Sequence, residues 1–238
     1  MIGLWFSFGG DAGCLLESAA QWRSTFPDSP VAVCDDSHHP VSLDTLAALS
    51  PDHYERSEVG RNRNIRGADI ILTILDFQER MHLRYPDHQG AVKVDCDTLI
   101  CHSDWIDENR PLCGFEFPGA PFPVGCARYI RRDAASLIYD KLLSRVWARA
   151  VKAAEDAVIG VSALSLFGPS CQVIPTVPRR CVGWDYRLEE PLPHVMSADV
   201  VTFGNREFAP GSSDCEKRES AAVAMAKFRK EREAWLKS

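Results

Sequence analysis

Residues 91–97 read Ala91-Val92-Lys93-Val94-Asp95-Cys96-Asp97, an apolar run that ends in two aspartates. Its first four residues form a short, mostly apolar run, which is typical of a strand buried on both faces of a parallel sheet. Residues 2–8 form a similar run that ends at the turn Gly9-Gly10, and residues 31–34 form a third, which is followed by Asp35-Asp36. We therefore expect three buried strands, two of which end in acidic residues.

Helical patterns separate these strands. Apolar residues recur at helical spacing in residues 15–25 and 67–84, and Ser42 stands at the cap position of a helix over residues 42–49. Strands that alternate with helices predict an α/β fold, a Rossmann-like three-layer sandwich whose central sheet is mainly parallel. The Pro- and Gly-rich residues 115–123 predict a loop. Further helices are expected over residues 132–150, 154–167 and 214–237.

The acidic residues at the strand ends are the first indication of function. Ligands of parallel α/β sheets bind beyond the carboxyl ends of the strands, where Asp35, Asp36, Asp95 and Asp97 are all expected. Asp95 and Asp97 supply the oxygen ligands that Mg²⁺ and Mn²⁺ prefer, and such an ion bridges a protein to a diphosphate. Asp35 and Asp36 can hydrogen-bond the ribose or base of a nucleoside. The alternatives are a solvated loop or helix cap for Asp95 and Asp97, and a turn for Asp35 and Asp36.

Basic residues near these strand ends are candidate phosphate contacts. Lys93 lies two positions before Asp95, and residues 60–64 read Gly-Arg-Asn-Arg-Asn just ahead of the helix expected at residue 67. Arginine side chains match phosphate geometry and the start of a helix favours anions, although a solvated basic loop is the alternative interpretation. The predicted nucleotide-binding residues are accordingly Asp35, Asp36, Arg61, Asn64, Lys93 and Asp95.

The overall composition narrows the class of protein. The formal net charge of −6 offers no basic stripe for neutralising nucleic-acid phosphates, so no nucleic-acid partner is expected. The nine cysteines form no CxxC pair, and their odd number suits a reducing compartment. No basic region precedes the first strand, and no stretch approaches the roughly 20 apolar residues needed to cross a membrane. We therefore expect a cytoplasmic protein without a transmembrane segment.

The ordered motifs resemble those of the GT-A glycosyltransferases, the galactosyltransferase and fringe-like group in particular. Residues 93–98 (Lys-Val-Asp-Cys-Asp-Thr) resemble the metal motif of that group, with Cys96 in place of the middle acidic residue. Residues 125–130 (Gly-Cys-Ala-Arg-Tyr-Ile) are similar to its Gly-x-x-Tyr segment, and residues 155–160 (Glu-Asp-Ala-Val-Ile-Gly) to its Glu-Asp-Val-x-x-Gly motif with an inserted Ala. The resemblance covers residues 2–205.

This resemblance implies one nucleotide-sugar transferase domain over residues 1–210, followed by a charged helix over residues 211–238. It also implies a metal-dependent glycosyltransferase that moves a sugar from a nucleoside diphosphate donor, a UDP-sugar, to a hydroxyl of a glycan or glycoconjugate. Asp95 and Asp97 would hold Mn²⁺ or Mg²⁺ against the diphosphate. His194 is the candidate for a further histidine ligand, which the family often supplies near the end of the domain.

The resemblance also suggests roles for the pair Glu155-Asp156. Asp156 would act as the general base on the acceptor hydroxyl, which predicts inversion at the anomeric carbon. Glu155 would position the acceptor or orient Asp156. The alternative interpretation is that both carboxylates stabilise the start of a helix through its dipole.

Two other functions are compatible with such a sheet. A sugar-phosphate nucleotidyltransferase also binds a metal and a nucleotide, but it normally has a Gly-rich basic loop after the first strand. Residues 8–13 contain glycines with no Lys or Arg before Arg23, which ranks this alternative below the transferase. The other alternative is a catalytically inactive glycosyltransferase-like protein that binds a nucleotide or glycan. The presence of Asp97 and Asp156 argues against it.

Overall fold

The computed structural model describes residues 1–7, 9–58, 68–117, 120–143, 155–174, 181–183, 193–203 and 214–237. The strands in these residues are β1 (Ile2–Ser7), β2 (Val31–Asp36), β3 (His53–Ser57), β4 (Gly90–Val94), β5 (Thr98–Ile100), β6 (Leu112–Phe117), β7 (Ala120–Arg131), β8 (Gln172–Ile174), β9 (Cys181–Gly183) and β10 (Val200–Thr202). The α-helices are α1 (Ala12–Thr25), α2 (Leu43–Leu49), α3 (Ala68–Arg84), α4 (Arg132–Leu143), α5 (Glu155–Phe167), α6 (Pro193–Met196) and α7 (Asp214–Trp235).

Seven of these strands form the central sheet, in the order β3-β2-β1-β4-β7-β6-β8. β7 runs antiparallel to both of its neighbours, whereas the other neighbouring strands are parallel to each other. The mainly parallel α/β sheet predicted from the sequence is therefore confirmed. β1, β2 and β4 are buried along their whole length, which explains why their residues read as nearly continuous apolar runs.

Helices cover both faces of this sheet and complete the three layers. α1 packs against α2 and α7 on one face, and α3, α4 and α5 pack together on the other. Because successive strand residues point to opposite faces, neighbouring aromatic residues of β1 enter different cores. Trp5 makes an edge-to-face contact with Trp22 of α1, with ring centroids 5.6 Å apart. Phe6 meets Phe77 of α3 in the same way at 5.4 Å.

A second sheet contains three short strands in the order β5-β10-β9. β5 begins at Thr98, directly after the Asp95-Cys96-Asp97 stretch that follows β4. Ser18 Oγ of α1 donates a hydrogen bond to Thr98 O at 2.6 Å, and Thr25 Oγ1 donates one to Ile100 O at 2.8 Å. The small sheet is therefore attached to the α1 face of the molecule, beside the acidic stretch.

Two segments differ from the sequence prediction. The loop predicted over residues 115–123 is wrong, because β6 and β7 pair there as antiparallel strands with an irregular register next to Glu116. Prolines lack an amide hydrogen, and such an irregularity accommodates them within a strand. β3 has no counterpart among the predicted strands. It lies at the edge of the sheet and is only half-buried, so its residues form no apolar run.

The C-terminal helix α7 packs against α1, and Arg229 Nη1 lies 2.6 Å from Glu17 Oε2 between the two helices. The boundary predicted between residues 210 and 211 falls outside the described residues and stays a prediction, as does the end of the helix expected over residues 132–150. None of the described helices is both long enough and apolar enough to cross a lipid bilayer.

Candidate active site

Three neighbouring strand ends define the candidate site. β1 lies between β2 and β4, and both neighbours run parallel to it. Ligands of open α/β sheets bind at such a point, where the strand order reverses and a crevice forms outside the carboxyl ends of the strands. Ser7 at the end of β1 pairs with Asp35 of β2, and Asp95 directly follows β4. The acidic residues singled out from the sequence therefore lie along one edge of the sheet.

Asp35 connects three elements at this edge. Its buried carboxylate accepts hydrogen bonds from Ser7 Oγ, from the backbone nitrogen of Val41 and from the Tyr54 hydroxyl, each at 2.9 Å. These bonds join the ends of β1 and β2 to the segment before α2 and to β3. All three hydrogen bonds come from the protein, so they give Asp35 a structural role. Its predicted contact with a nucleoside stays a prediction.

Asp36 retains acceptor capacity. Its Oδ1 accepts a hydrogen bond from the backbone nitrogen of His38 at 2.9 Å. Its buried Oδ2 has no hydrogen-bond partner among the described residues. A buried carboxylate oxygen without a donor is costly, and a ligand hydroxyl would remove that cost. Of the two neighbouring acids, Asp36 is therefore the stronger candidate for the predicted nucleoside contact.

Backbone hydrogen bonds fix the turn Asp95-Cys96-Asp97 on both sides. Asp95 N donates to Cys126 O of β7 at 2.9 Å, and Phe203 N donates to Asp97 O at 2.8 Å. The Cys96 side chain is buried, and its Sγ lies 3.6 Å from Phe6 O. Asp95 and Asp97 are partly exposed. The turn is thus anchored through its middle residue, while the two aspartates remain within reach of solvent.

A cluster of four charged side chains lies beside this turn. Lys93 Nζ is 2.7 Å from Asp95 Oδ1 and 2.7 Å from Glu155 Oε1. Arg128 Nη2 is 3.4 Å from Glu155 Oε2. Lys93 and Arg128 are opposite residues of the antiparallel strands β4 and β7, and Glu155 is the first residue of α5. We call these four residues the ion cluster.

The ion cluster has balanced formal charge, with two cations and two carboxylates. Burial alone would raise the pKa of Glu155, but Lys93 and Arg128 outweigh it, so the pKa lies below its usual value and the carboxylate is ionised. Arg128 is fully buried, and its Nε and Nη1 have no hydrogen-bond partner among the described residues. The start of α5 adds a favourable dipole for Glu155.

Arg128 is the member of the ion cluster to which no role was given from the sequence, although it lies in the motif-like residues 125–130. A usable signal exists, because Arg128 and Lys93 each interrupt an otherwise apolar strand. Their contact with a shared carboxylate depends on the register of β4 against β7, which a single sequence does not display.

The other predicted residues fall in different places. Asp156 follows Glu155 in the first turn of α5, is partly exposed, and accepts a hydrogen bond from the Ala157 backbone nitrogen through Oδ1 at 2.8 Å. Arg61 and Asn64 lie outside the described residues, and His194 lies in α6 with its side chain outside them. Within the described part of the chain, no group of three or more His, Cys, Asp or Glu side chains could hold a metal ion.

No family model matches the sequence, and no curated protein sequence matches it either. The fold is nevertheless shared with solved structures. One is a glycosyltransferase involved in the glycosylation of the major capsid of PBCV-1. It is 14% identical, with a TM-score of 0.58, and the match covers 93% of this chain and 98% of that one.

Two further matches are structures of LgtC. An active-site mutant is 14% identical with a TM-score of 0.52, over 94% of this chain and 96% of that chain. The galactosyltransferase LgtC in complex with donor and acceptor sugar analogs is 14% identical with a TM-score of 0.53, over 95% and 96%. At this identity the likeness concerns the fold, and it confirms the predicted GT-A type of α/β sandwich. Membership of the galactosyltransferase and fringe-like group stays a prediction.

Proposed function

We propose that the chain is a metal-dependent glycosyltransferase that transfers a sugar from a UDP-sugar to a hydroxyl group of a glycan or glycoconjugate. The observation that carries the proposal is the ion cluster beside the Asp95-Cys96-Asp97 turn, at the sheet edge where α/β folds bind ligands. The fold is shared with glycosyltransferase structures, one of which contains donor and acceptor sugar analogs. The fold and the position of these charges support the same class of reaction.

The nucleotide half of the donor is assigned to the end of β2. Oδ2 of Asp36, which has no partner among the described residues, offers an acceptor for a ribose hydroxyl or a base nitrogen. Asp35 holds the surrounding backbone in place. Lys93, which pairs with Asp95 and Glu155, is the proposed phosphate contact at the end of β4. Arg61 and Asn64 complete the proposed phosphate contacts.

Asp95 and Asp97 fit a hard divalent cation. They are partly exposed carboxylates on a turn that the backbone fixes, and Mg²⁺ or Mn²⁺ commonly binds through one or two carboxylates together with substrate phosphates. His194 is the proposed further protein ligand. A bound ion would neutralise the charge that develops on the leaving UDP.

Asp156 is the proposed general base. It is partly exposed, whereas the neighbouring Glu155 is held by Lys93 and Arg128, so the two carboxylates have different surroundings. Glu155 keeps the start of α5 next to the acidic turn, which would place Asp156 near the reacting atoms. Removal of the acceptor proton by Asp156 and attack from the face opposite UDP invert the anomeric carbon.

The test is release of UDP and transfer of sugar by the purified protein with a panel of UDP-sugars and Mn²⁺. Asp97→Asn should abolish Mn²⁺-dependent donor binding, because it removes a charged oxygen ligand. Asp156→Asn should keep donor binding and slow transfer by about 10²- to 10⁴-fold, since the base is lost. Asp104→Asn, at an exposed position after β5, is the matched control and should behave like the wild type.

Several outcomes would contradict this proposal. Absence of both UDP release and Mn²⁺-dependent nucleotide binding would refute the transferase. Nucleotide binding without turnover would indicate an inactive binding protein, and formation of a nucleotide-sugar from a triphosphate would indicate a nucleotidyltransferase. A product with retained anomeric configuration, or full transfer by Asp156→Asn, would refute the role of Asp156 alone.

A further inference from the structure

Two cysteine side chains meet between the two sheets of the molecule. Cys126 lies in β7 of the central sheet, and Cys181 is the first residue of β9 in the small sheet. Their Sγ atoms are 3.8 Å apart, although the residues are separated by 55 positions in the chain. Each thiol has the other as a direct neighbour across the gap between the sheets.

These two thiols differ from most other cysteines of the chain in their accessibility. Cys126 and Cys181 are both partly exposed. Five other cysteines are buried, and two of those point their sulfur at a backbone carbonyl oxygen: Cys96 at Phe6 O and Cys113 at Asp107 O. Contact and accessibility therefore coincide at the pair Cys126 and Cys181.

We propose that Cys126 and Cys181 form an oxidation site that closes a disulfide between the two sheets. A disulfide needs its sulfurs about 2.0 Å apart, so the Sγ atoms must approach by roughly 1.8 Å, a distance that side-chain rotation with a small backbone shift can supply. A fully buried pair of cysteines at the same distance would be shielded from the oxidant. Here both cysteines are partly exposed.

The oxidant is a small disulfide such as oxidised glutathione. One cysteine, as its thiolate, attacks a glutathione sulfur, which forms a mixed disulfide and releases one reduced glutathione. The second cysteine thiolate then attacks the protein sulfur of that mixed disulfide and releases the other. The two cysteines together lose two protons and two electrons, and the glutathione disulfide gains them as two thiols. No other reactant is needed.

The disulfide would lie next to the candidate active site. Cys126 O accepts the hydrogen bond from Asp95 N, and β9 connects through β10 to β5, which follows Asp97. The crosslink would therefore join the two sides of the acidic turn. This consequence rests on the proposed function: drawing Cys126 toward β9 displaces the carbonyl that holds Asp95, so the oxidised protein turns over UDP-sugar on the order of tenfold more slowly.

The experiment incubates the full chain with oxidised glutathione, blocks remaining thiols, and maps the peptides by mass spectrometry. The expected result is a peptide pair linked through Cys126 and Cys181 that has lost the mass of two hydrogen atoms. Thermal unfolding of the oxidised protein should shift upward by about 5–10 °C, because the crosslink closes a long loop. Reduction by dithiothreitol should reverse both changes.

Matched variants separate this pair from the other cysteines. Cys126→Ser and Cys181→Ser should each lose the crosslinked peptide and the thermal shift, whereas Cys171→Ser, at a partly exposed cysteine elsewhere, should keep both. Separate glutathione adducts on Cys126 and Cys181, or two thiols that stay unmodified in folded protein, would overturn the proposal. Turnover that is equal in the oxidised and reduced forms would overturn its link to Asp95.

Peptide mapping and turnover also test the oxidation site and the proposed transferase activity separately. If the crosslink forms but neither form releases UDP, the oxidation site stands and the transferase assignment fails. If the reduced protein turns over UDP-sugar but no crosslink forms, the transferase stands and the oxidation site fails.

Discussion

Lys93 and Arg128 place two buried positive charges opposite each other on β4 and β7, on the face of the central sheet that α3, α4 and α5 cover. A charge in such a position is expensive unless it is paired and hydrogen-bonded. Glu155 forms ion pairs with both cations, and Asp95 forms a second ion pair with Lys93. The sheet therefore tolerates these charges only while α5 begins beside the acidic turn, which couples the position of the helix to that of the site.

Replacing Glu155 should expose this dependence. Glu155→Gln preserves the size of the side chain but removes the carboxylate that Lys93 and Arg128 share. We expect a loss of about 3 kcal/mol in the free energy of unfolding, measured by urea denaturation, because two buried cations lose a partner. Asp140→Asn, on the exposed side of α4, is the control and should change stability by less than about 0.5 kcal/mol. Equal effects of the two substitutions would show that the ion cluster contributes no net stability.

His82 makes the stability depend on pH away from the site. Burial, with Arg132 and His88 nearby, lowers the pKa of His82 to about 4, against an ordinary value of 6.5. Below pH 6.5 the unfolded chain therefore binds a proton that the folded chain excludes, and stability falls as the pH drops toward 4. The loss reaches about 3 kcal/mol at the lower end. Above pH 6.5 this contribution to stability is fully present.

Urea unfolding at a series of pH values between 7 and 4 measures this effect. His82→Gln, which carries no titrating group but can still hydrogen-bond Gln78, should lose about 3 kcal/mol less than the wild type across that range. His39→Gln, at an exposed position, is the matched control and should follow the wild type. Parallel curves for His82→Gln and the wild type would refute the assignment.

The strands differ from one another in how far the sequence predicts them. β1, β2 and β4 are covered on both faces, so most of their residues are apolar and the strands can be recognised from the sequence. β3 lies at the edge and shows no such run, and the β6–β7 pair contains prolines that suggest a loop. The acidic ends of β2 and β4 were found because they follow buried strands.

The candidate site was only partly predictable for a related reason. Asp95 and Lys93 are neighbours in sequence, so their closeness could be anticipated. Glu155 was expected near the acceptor, and its contact with Lys93 and Arg128 depends on how α5 is placed against β4 and β7. The pair Cys126 and Cys181 is separated by 55 positions and carries no local signal at all. Contacts between distant segments follow from topology, which residue spacing does not encode.

α7 supports the small sheet from outside. Phe228 is fully buried and meets Phe203 at 5.8 Å between ring centroids, and Phe203 N holds Asp97 O. Phe228→Ala should therefore cost about 3–5 kcal/mol in the free energy of unfolding, since it empties a packed position. Val223→Ala, on the same helix but 72% exposed, should cost less than about 0.5 kcal/mol. Comparable losses would mean that α7 is not packed as described.

The molecule as a whole carries its candidate site between two cores. One core lies between the sheet and α3, α4 and α5, and the other lies between the sheet and α1, α2 and α7. The acidic turn follows β4, which packs against both cores. A substitution that disrupts either core should therefore also displace the acidic turn. α7, the charged helix predicted after residue 210, belongs to one of them because it packs against α1.

A chain shortened to residues 1–210 tests whether the rest of the domain folds without α7. Without α7, the core beside α1 and Phe203 loses Met225 and Phe228. Arg232 also no longer donates hydrogen bonds to Met196 O at 3.1 Å and Cys101 O at 3.3 Å. We expect the shortened chain to lose its cooperative thermal transition, because the apolar area left uncovered exceeds what a marginally stable domain tolerates. A chain ending at Trp235, which removes only the exposed Leu236 and the residues after it, should unfold like the full chain. Cooperative unfolding of residues 1–210 at the full-length midpoint would instead show that the helix is an appendage.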